Sequence, residues 1–209
     1  MTLPGGIAFE RPRITGCAED DAGGGVALSN DARVLLISGS TRNGSANTAA
    51  LVTAAALAPE RVTPVLYGGL ADLPAFNPDH DGDLLPPAAA ALRGEIAAAA
   101  AVLFCTPEYA GTLPGSLKNL LDWTVGGGEM NEKPAAWINV ANPGRGGGAT
   151  ATLASVLSYV GADVIDSACR DIPVPRDAVT PDGTVRDPRF TATVADIWGA
   201  VLGHLDAAS

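Results

Sequence analysis

The segment from Gly39 to Thr48 combines short polar side chains, two glycines and an arginine. It lies between the apolar run 33–38 and a segment with helical apolar spacing, so it is predicted to join a buried strand to a helix. A helix N-terminus carries unpaired N–H groups and about half a positive charge, which makes it an anion-binding site. We therefore predict a phosphate site formed by Ser40, Arg42, Ser45, Asn47 and Thr48. The alternative is that Ser45 only caps the helix and that Arg42 is solvated.

The same loop differs from three other phosphate-binding loops. Its glycines do not follow the GxGxxG pattern of dinucleotide-binding folds. No lysine follows Gly44, which argues against a nucleotide triphosphatase P-loop. The loop also contains no cysteine, which excludes the phosphatases that use a cysteine in a similar strand-loop-helix arrangement.

Two further loops also follow apolar runs. Residues 106–115 are rich in proline and glycine, and Tyr109 offers a flat surface to a heteroaromatic ring, unless it is a core or interface tyrosine. Residues 142–148 hold four glycines in five positions, which suits close approach of the backbone to a ligand, with a merely flexible loop as the alternative. Arg145 within that loop faces either an anionic ligand or solvent.

The elements that must position these loops alternate along the chain. Predicted strands cover 33–38, 61–67, 101–105, 135–140 and 163–167, and predicted helices start near 45, 86, 113, 150 and 190. Such alternation predicts an α/β domain with a doubly wound, five-stranded parallel sheet and helices on both faces. Ligands bind beyond the carboxyl ends of the strands in these sheets, which is where the three loops would lie.

The composition limits the class of protein. The chain has 209 residues and a formal net charge of −10, which disfavours nucleic acid and anionic membranes as partners. The three cysteines form no CxxC pair, and neither His80 nor His204 has a second ligand at a useful spacing, so no metal site is predicted. No apolar run is long enough to span a bilayer and no secretory signal is visible, so we expect a cytoplasmic protein. Residues 1–31 are predicted to be a poorly ordered extension, and residues 32–209 the domain.

Two motifs together resemble the NAD(P)H-dependent FMN reductases, a family that includes quinone, azo-dye and chromate reductases. They are Gly39-Ser40-Thr41-Arg42-x-x-Ser45-x-Asn47 and Pro107-Glu108-Tyr109-x-Gly111-x-x-Pro114-Gly115-x-Leu117-Lys118-Asn119-x-x-Asp122-Trp123. The similarity runs from about residue 33 to the final helix. The resemblance implies a flavodoxin-like fold with strand order 2-1-3-4-5. It also implies an enzyme that passes electrons from NADPH or NADH through bound FMN to a small-molecule acceptor such as free flavin or a quinone.

The resemblance also implies roles for individual residues. Ser40, Arg42, Ser45 and Asn47 would hold the FMN phosphate, with Thr48 beside them. The flavin ring would be lined by Pro107, Glu108, Tyr109, Ala110 and Gly111, and its polar edge by Gly144, Arg145, Gly146 and Gly147. The family commonly has Asn where this chain has Ala110. Members are usually homodimers or homotetramers, with the helix that carries Lys118, Asn119, Asp122 and Trp123 near the interface.

Two other functions fit the same fold. One is a non-enzymatic electron carrier like flavodoxin, and the other is a regulatory protein that binds no flavin. Aromatic residues are only 5% of the chain, which favours an open ring accessible to a nicotinamide over the aromatic-shielded ring of a carrier. No residue needs to act as a catalytic acid or base, because the cofactor carries the chemistry. The sequence has no fingerprint that separates NADH from NADPH.

Overall fold

The computed structural model describes residues 32–208, so the predicted extension 1–31 lies outside the described residues. The strands and helices in chain order are β1 Ala32–Ser38, α1 Ala46–Ala56, β2 Val62–Leu66, α2 Pro87–Ala97, β3 Ala101–Cys105, α3 Gly115–Asp122, β4 Pro134–Asn139, α4 Gly147–Tyr159, β5 Asp163–Val164, β6 Arg170–Asp171 and α5 Pro188–Ala207. Within this range, no helix combines the length and the apolar content needed to cross a bilayer.

All the strands are parallel, and their order is β2-β1-β3-β4-β5, with β6 also paired to β4. This order confirms the predicted doubly wound sheet. Ser38 is in register with Cys105, and Cys105 with Ile138, so β1, β3 and β4 end at the same edge. The loops that follow these three strands therefore meet there, as the sequence predicted.

Each face of the sheet is covered by its own apolar cluster. α1 and α5 cover one face, and α2, α3 and α4 cover the other. α5 packs against the sheet through an apolar stripe, in which five side chains are buried: Phe190, Val194, Ile197, Trp198 and Val201. The Trp198 indole N–H donates to the Ala54 carbonyl at 3.0 Å, which fixes α5 against α1.

Several predicted boundaries were wrong. The third helix begins at Gly115 rather than 113, because Pro114 forces the residue before it into extended backbone. The predicted strand 163–167 is only Asp163–Val164, after which a 3₁₀ turn, Asp166–Ala168, leads to β6. α4 begins at Gly147 rather than 150, so the last two glycines of the third loop form its first turn.

Candidate cofactor site

The loops after β1, β3 and β4 surround a cavity of about 280 Å³ at the carboxyl edge of the sheet. Six of the predicted site residues line it, namely Arg42, Asn47, Pro107, Glu108, Arg145 and Gly146. The other predicted residues lie in the same loops or in the first turns of the helices that follow them, but do not line this cavity: Ser40, Ser45, Thr48, Tyr109, Ala110, Gly111, Gly144 and Gly147. The cavity is close to the lower end of the roughly 300–1,000 Å³ range of ligand pockets.

The first loop shows that capping a helix and binding an anion are compatible. The Ser45 hydroxyl oxygen caps α1 by accepting from the Asn47 amide at 3.2 Å, as the alternative interpretation expected. The Ser40 hydroxyl oxygen likewise accepts from the Arg42 amide at 3.3 Å. Both contacts use oxygen lone pairs, so each O–H remains a donor for a ligand. The first turn of α1 contains no acidic side chain, and its positive end is therefore not neutralised locally.

Asn47 ties the first loop to the end of β3. Its side chain is buried, and its amide donates to the Ser45 hydroxyl while its Oδ1 accepts from the Cys105 thiol, each at 3.4 Å. Cys105 is completely buried, and this burial raises the pKa of its thiol far above the ordinary value. The thiol therefore stays protonated, and Cys105 acts as a small core residue rather than as a nucleophile.

Position 39 requires glycine because of close packing and not because of an unusual backbone angle. Its amide donates to the Cys105 carbonyl at 2.9 Å, which brings the two strand ends together. A β-carbon at this position would lie 2.7 Å from Cβ of Thr106 and 2.9 Å from Cδ2 of Leu117. Only glycine therefore allows the first loop to turn away from β1 along this path.

The second loop is held by Glu108, whose carboxylate caps α4. Oε2 accepts from the Gly148 amide at 2.8 Å and from the Ala149 amide at 3.3 Å. An acidic group at a helix N-terminus satisfies its free N–H groups and offsets its positive end. The start of α4 is thus already occupied by a carboxylate of the protein, whereas the start of α1 is not.

Residues 109–112 form a tight hairpin turn. Tyr109 and Thr112 exchange two backbone hydrogen bonds of 3.0 and 3.1 Å, and the residues between them have positive φ, 51° at Ala110 and 77° at Gly111. Two positive φ values define a type I′ turn, for which Asn-Gly is the preferred sequence. Tyr109 is 53% exposed, which rules out a core position within the chain.

We expect Ala110→Asn to stabilise the protein by about 1 kcal/mol, because alanine in left-handed backbone costs about that much and asparagine tolerates it. Thermal unfolding should show a midpoint about 2–4 °C higher. Ala110→Val is the matched control, since a β-branched side chain is disfavoured at positive φ and should lower the midpoint. A lower midpoint for Ala110→Asn would show that the turn does not have this geometry.

The third loop is anchored by Asn139, a residue that the sequence did not single out. Its amide nitrogen donates to the Arg145 carbonyl at 3.3 Å and to Asp171 at 2.8 Å, and its Oδ1 accepts from the Ala141 amide at 3.1 Å. Gly146 caps α4 with φ of 84°, and a β-carbon there would lie 2.8 Å from Cγ of Asn139. The one available signal was a polar residue near the end of an otherwise apolar strand.

The sequence also missed the segment that follows β6. Val174 and Arg176 complete the cavity wall, although no motif marks either residue. Arg176 joins Arg42 and Arg145, so three arginines line a cavity in a chain whose net charge is −10. Glu108 is the single acidic side chain among the described residues that line it.

Comparison with known proteins identifies this class of α/β protein. Residues 32–170 match the family model of the NADPH-dependent FMN reductases. The match covers more than half of the chain, and the chain belongs to this family. It is therefore an FMN-dependent NAD(P)H oxidoreductase, as the two motifs predicted.

Individual relatives agree with this assignment. The chain is 42% identical over 126 residues to an NAD(P)H-dependent FMN reductase of Pseudomonas aeruginosa. The aligned residues cover 59% of this chain and 67% of that protein. It is 34% identical over 143 residues to a quinone reductase of Pseudomonas putida, 67% of this chain and 74% of the relative. Among solved structures, the flavoenzyme NAD(P)H:(acceptor) oxidoreductase FerB of Paracoccus denitrificans superposes with a TM-score of 0.70. That match has 31% identity and covers 83% of this chain and 98% of FerB.

Proposed function

We propose that the cavity binds FMN with its phosphate on the first loop and its ring against the second and third loops. The observation that carries this orientation is the difference between the two helix starts at the cavity. The α1 start has no acidic side chain, while Glu108 already occupies the α4 start. A phosphate dianion is favoured at the free start and opposed by the carboxylate at the other.

The residues at the first loop fit a phosphate group. Arg42 lines the cavity and supplies a guanidinium, and the hydroxyls of Ser40 and Ser45 keep their protons available for donation. Asn47 and Thr48 are held nearby, Asn47 by Cys105 and Thr48 by a 2.8 Å hydrogen bond between its hydroxyl and that of Ser38. These contacts set the loop before any ligand arrives, which lowers the cost of ordering it on binding.

The second and third loops would carry the ring. Bound FMN supplies the redox chemistry, taking hydride from the nicotinamide and passing electrons to an acceptor. Pro107 and Gly146 line the cavity and offer backbone surface, and Arg145 adds a positive charge beside them. A cation and N–H groups near the ring would stabilise the negative charge that the cofactor gains on reduction. Tyr109, Ala110, Gly111, Gly144 and Gly147 would extend this surface from the same two loops.

A quinone or another small aromatic oxidant is the acceptor that we propose. The cavity-lining residues include no aromatic side chain in the described part of the chain, and Tyr109 is the one aromatic residue in the two loops that would carry the ring. This favours an enzyme over an electron carrier with a shielded flavin. Relatives named quinone reductase support the same class of acceptor.

The Arg42→Gln variant tests the phosphate position. We expect FMN to bind about tenfold more weakly, because one charge-assisted hydrogen bond to the phosphate is lost from an exposed side chain. FMN fluorescence quenching measures the dissociation constant, and thermal unfolding without FMN should be unchanged. Arg186→Gln removes the same charge from an exposed position outside the cavity and serves as the control. Equal FMN affinity in Arg42→Gln and the unsubstituted chain would contradict the proposed orientation.

We further propose a homodimer or homotetramer located in the cytoplasm. Trp123 is fully buried within the chain, so a contact near α3 would use its exposed neighbours instead. Val125 and Tyr159 are 53% and 87% exposed, and they line a groove of about 300 Å³ between the ends of α3 and α4. Sedimentation velocity on the full chain would contradict this proposal by showing a monomer at micromolar concentration.

A further inference from the structure

The cavity contains more positive charge than FMN requires. Arg42, Arg145 and Arg176 come from three different segments of the chain and all line it. None of the three forms an ion pair with a described residue. Glu108, the acidic side chain among them, is engaged by the amides of α4. FMN brings a single phosphate, and the first loop with Arg42 accounts for it.

The backbone next to Arg176 is fixed on the cavity side. The Ile172 amide donates to the Asn139 carbonyl at 2.8 Å, and the Val174 amide donates to the Val140 carbonyl at 3.0 Å. These bonds continue the pairing of β6 with β4 toward the third loop. Val174 is buried in the cavity wall, two residues before Arg176.

The far side of the same segment is fixed as well. Arg176 begins a 3₁₀ turn, Arg176–Ala178, and the Ala178 carbonyl accepts from the Arg186 amide at 2.8 Å. The Val185 amide donates to the buried hydroxyl of Thr53 on α1 at 2.7 Å. A side chain on a segment held at both ends loses little additional backbone freedom when it binds a ligand. The backbone of Arg176 is therefore held beside the cavity by the fold.

We infer that Arg176 binds a phosphate group of the nicotinamide dinucleotide. The inference rests on the proposed function, because that function assigns Arg42 to the FMN phosphate and Arg145 to the flavin ring and leaves Arg176 for the second substrate. Guanidinium groups bind phosphate oxygens through charge-assisted and often bidentate hydrogen bonds. Two phosphate positions are available on this class of ligand: the pyrophosphate of both dinucleotides, and the adenosine 2′-phosphate of NADPH alone.

The Arg176→Gln variant tests this inference, with Arg186→Gln as a control of equal charge change on the same segment. Steady-state kinetics of the FMN-loaded protein give KM and kcat for NADPH and NADH separately. Calorimetric titration with NADP⁺ and NAD⁺ measures binding without turnover. We expect KM and the dissociation constant to rise about tenfold in Arg176→Gln, with kcat changed less than twofold, because the lost contact is remote from the reacting atoms.

The two dinucleotides separate the two phosphate positions. Weaker binding of both indicates contact with the pyrophosphate, and weaker binding of NADPH and NADP⁺ alone indicates contact with the 2′-phosphate; either result supports the inference. Unchanged binding of both, or an equal effect in Arg186→Gln, overturns it. Weaker FMN binding in Arg176→Gln also overturns it, because Arg176 would then belong to the flavin site. An unsubstituted chain that binds dinucleotide but no FMN would instead contradict the proposed function.

Discussion

Gly39→Ala is expected to destabilise the protein by about 2–3 kcal/mol and to weaken FMN binding at least about tenfold. The added methyl group would overlap the side chains of Thr106 and Leu117, both of which are buried. The first loop would have to move away from β3, and the phosphate contacts would move with it. Thermal unfolding should show a midpoint lower by about 5–10 °C, and FMN titration should show the weaker affinity.

Gly68→Ala is the control for this effect. Gly68 also follows a strand at the carboxyl edge of the sheet, and, its two chain neighbours aside, no atom of the described residues lies within 4 Å of the place where its β-carbon would be. This variant should keep the midpoint and the FMN affinity of the unsubstituted chain. If Gly39→Ala had the same midpoint and FMN affinity as Gly68→Ala, the result would contradict the close packing of the first loop against Thr106 and Leu117.

Gly148→Ala should have a similarly large effect at the other side of the cavity. Its β-carbon would lie 2.9 Å from the Gly111 carbonyl carbon and closer still to the carbonyl oxygen. Backbone atoms cannot rotate aside, so the hairpin at 109–112 and α4 must separate. We expect a loss of about 2–3 kcal/mol and weaker FMN binding, because the second and third loops would no longer meet.

The neighbouring Gly147→Ala variant is a strict control for Gly148→Ala. Both residues lie in the first turn of α4, but beyond the chain neighbours and the backbone of α4 itself no atom from residues 32–208 lies within 4 Å of the β-carbon position at Gly147. Alanine is the better helix former by about 1 kcal/mol in a helix interior, so this variant should be neutral or slightly stabilised. Thermal and urea unfolding of the two variants measure the difference. Equal stabilities would contradict the observed contact between α4 and the hairpin.

The sheet and its helices could be predicted because their signals are local. Continuous apolar runs such as 33–38 and 101–105 indicate strands buried on both faces, and alternation with helices dictates a parallel sheet. The predicted boundaries were wrong where a single residue overrides the apolar pattern, as Pro114 does at the start of α3. The prediction of one strand over 163–167 was wrong because β5 and β6 are short segments that pair with opposite ends of β4. No local sequence pattern reveals such pairing.

The candidate site was predictable only in part for the same reason. The first loop was recognisable from adjacent residues, whereas Arg176 reaches the cavity through pairing with residues more than thirty positions away, Ile172 with Asn139 and Val174 with Val140. The role of Glu108 was likewise hidden, because its partners are backbone amides of α4, forty residues further along the chain. Hydrogen bonds between distant segments leave no periodicity to detect.

The most direct test of the central claim is the visible absorbance spectrum of the full chain, followed by anaerobic addition of NADPH or NADH. After incubation with FMN and gel filtration, the protein should retain the yellow flavin spectrum, and either or both nicotinamides should bleach it. Subsequent addition of a quinone should restore the colour. A protein that retains no flavin, or whose bound flavin neither nicotinamide bleaches, would contradict the assignment of this cavity to an FMN-dependent NAD(P)H oxidoreductase.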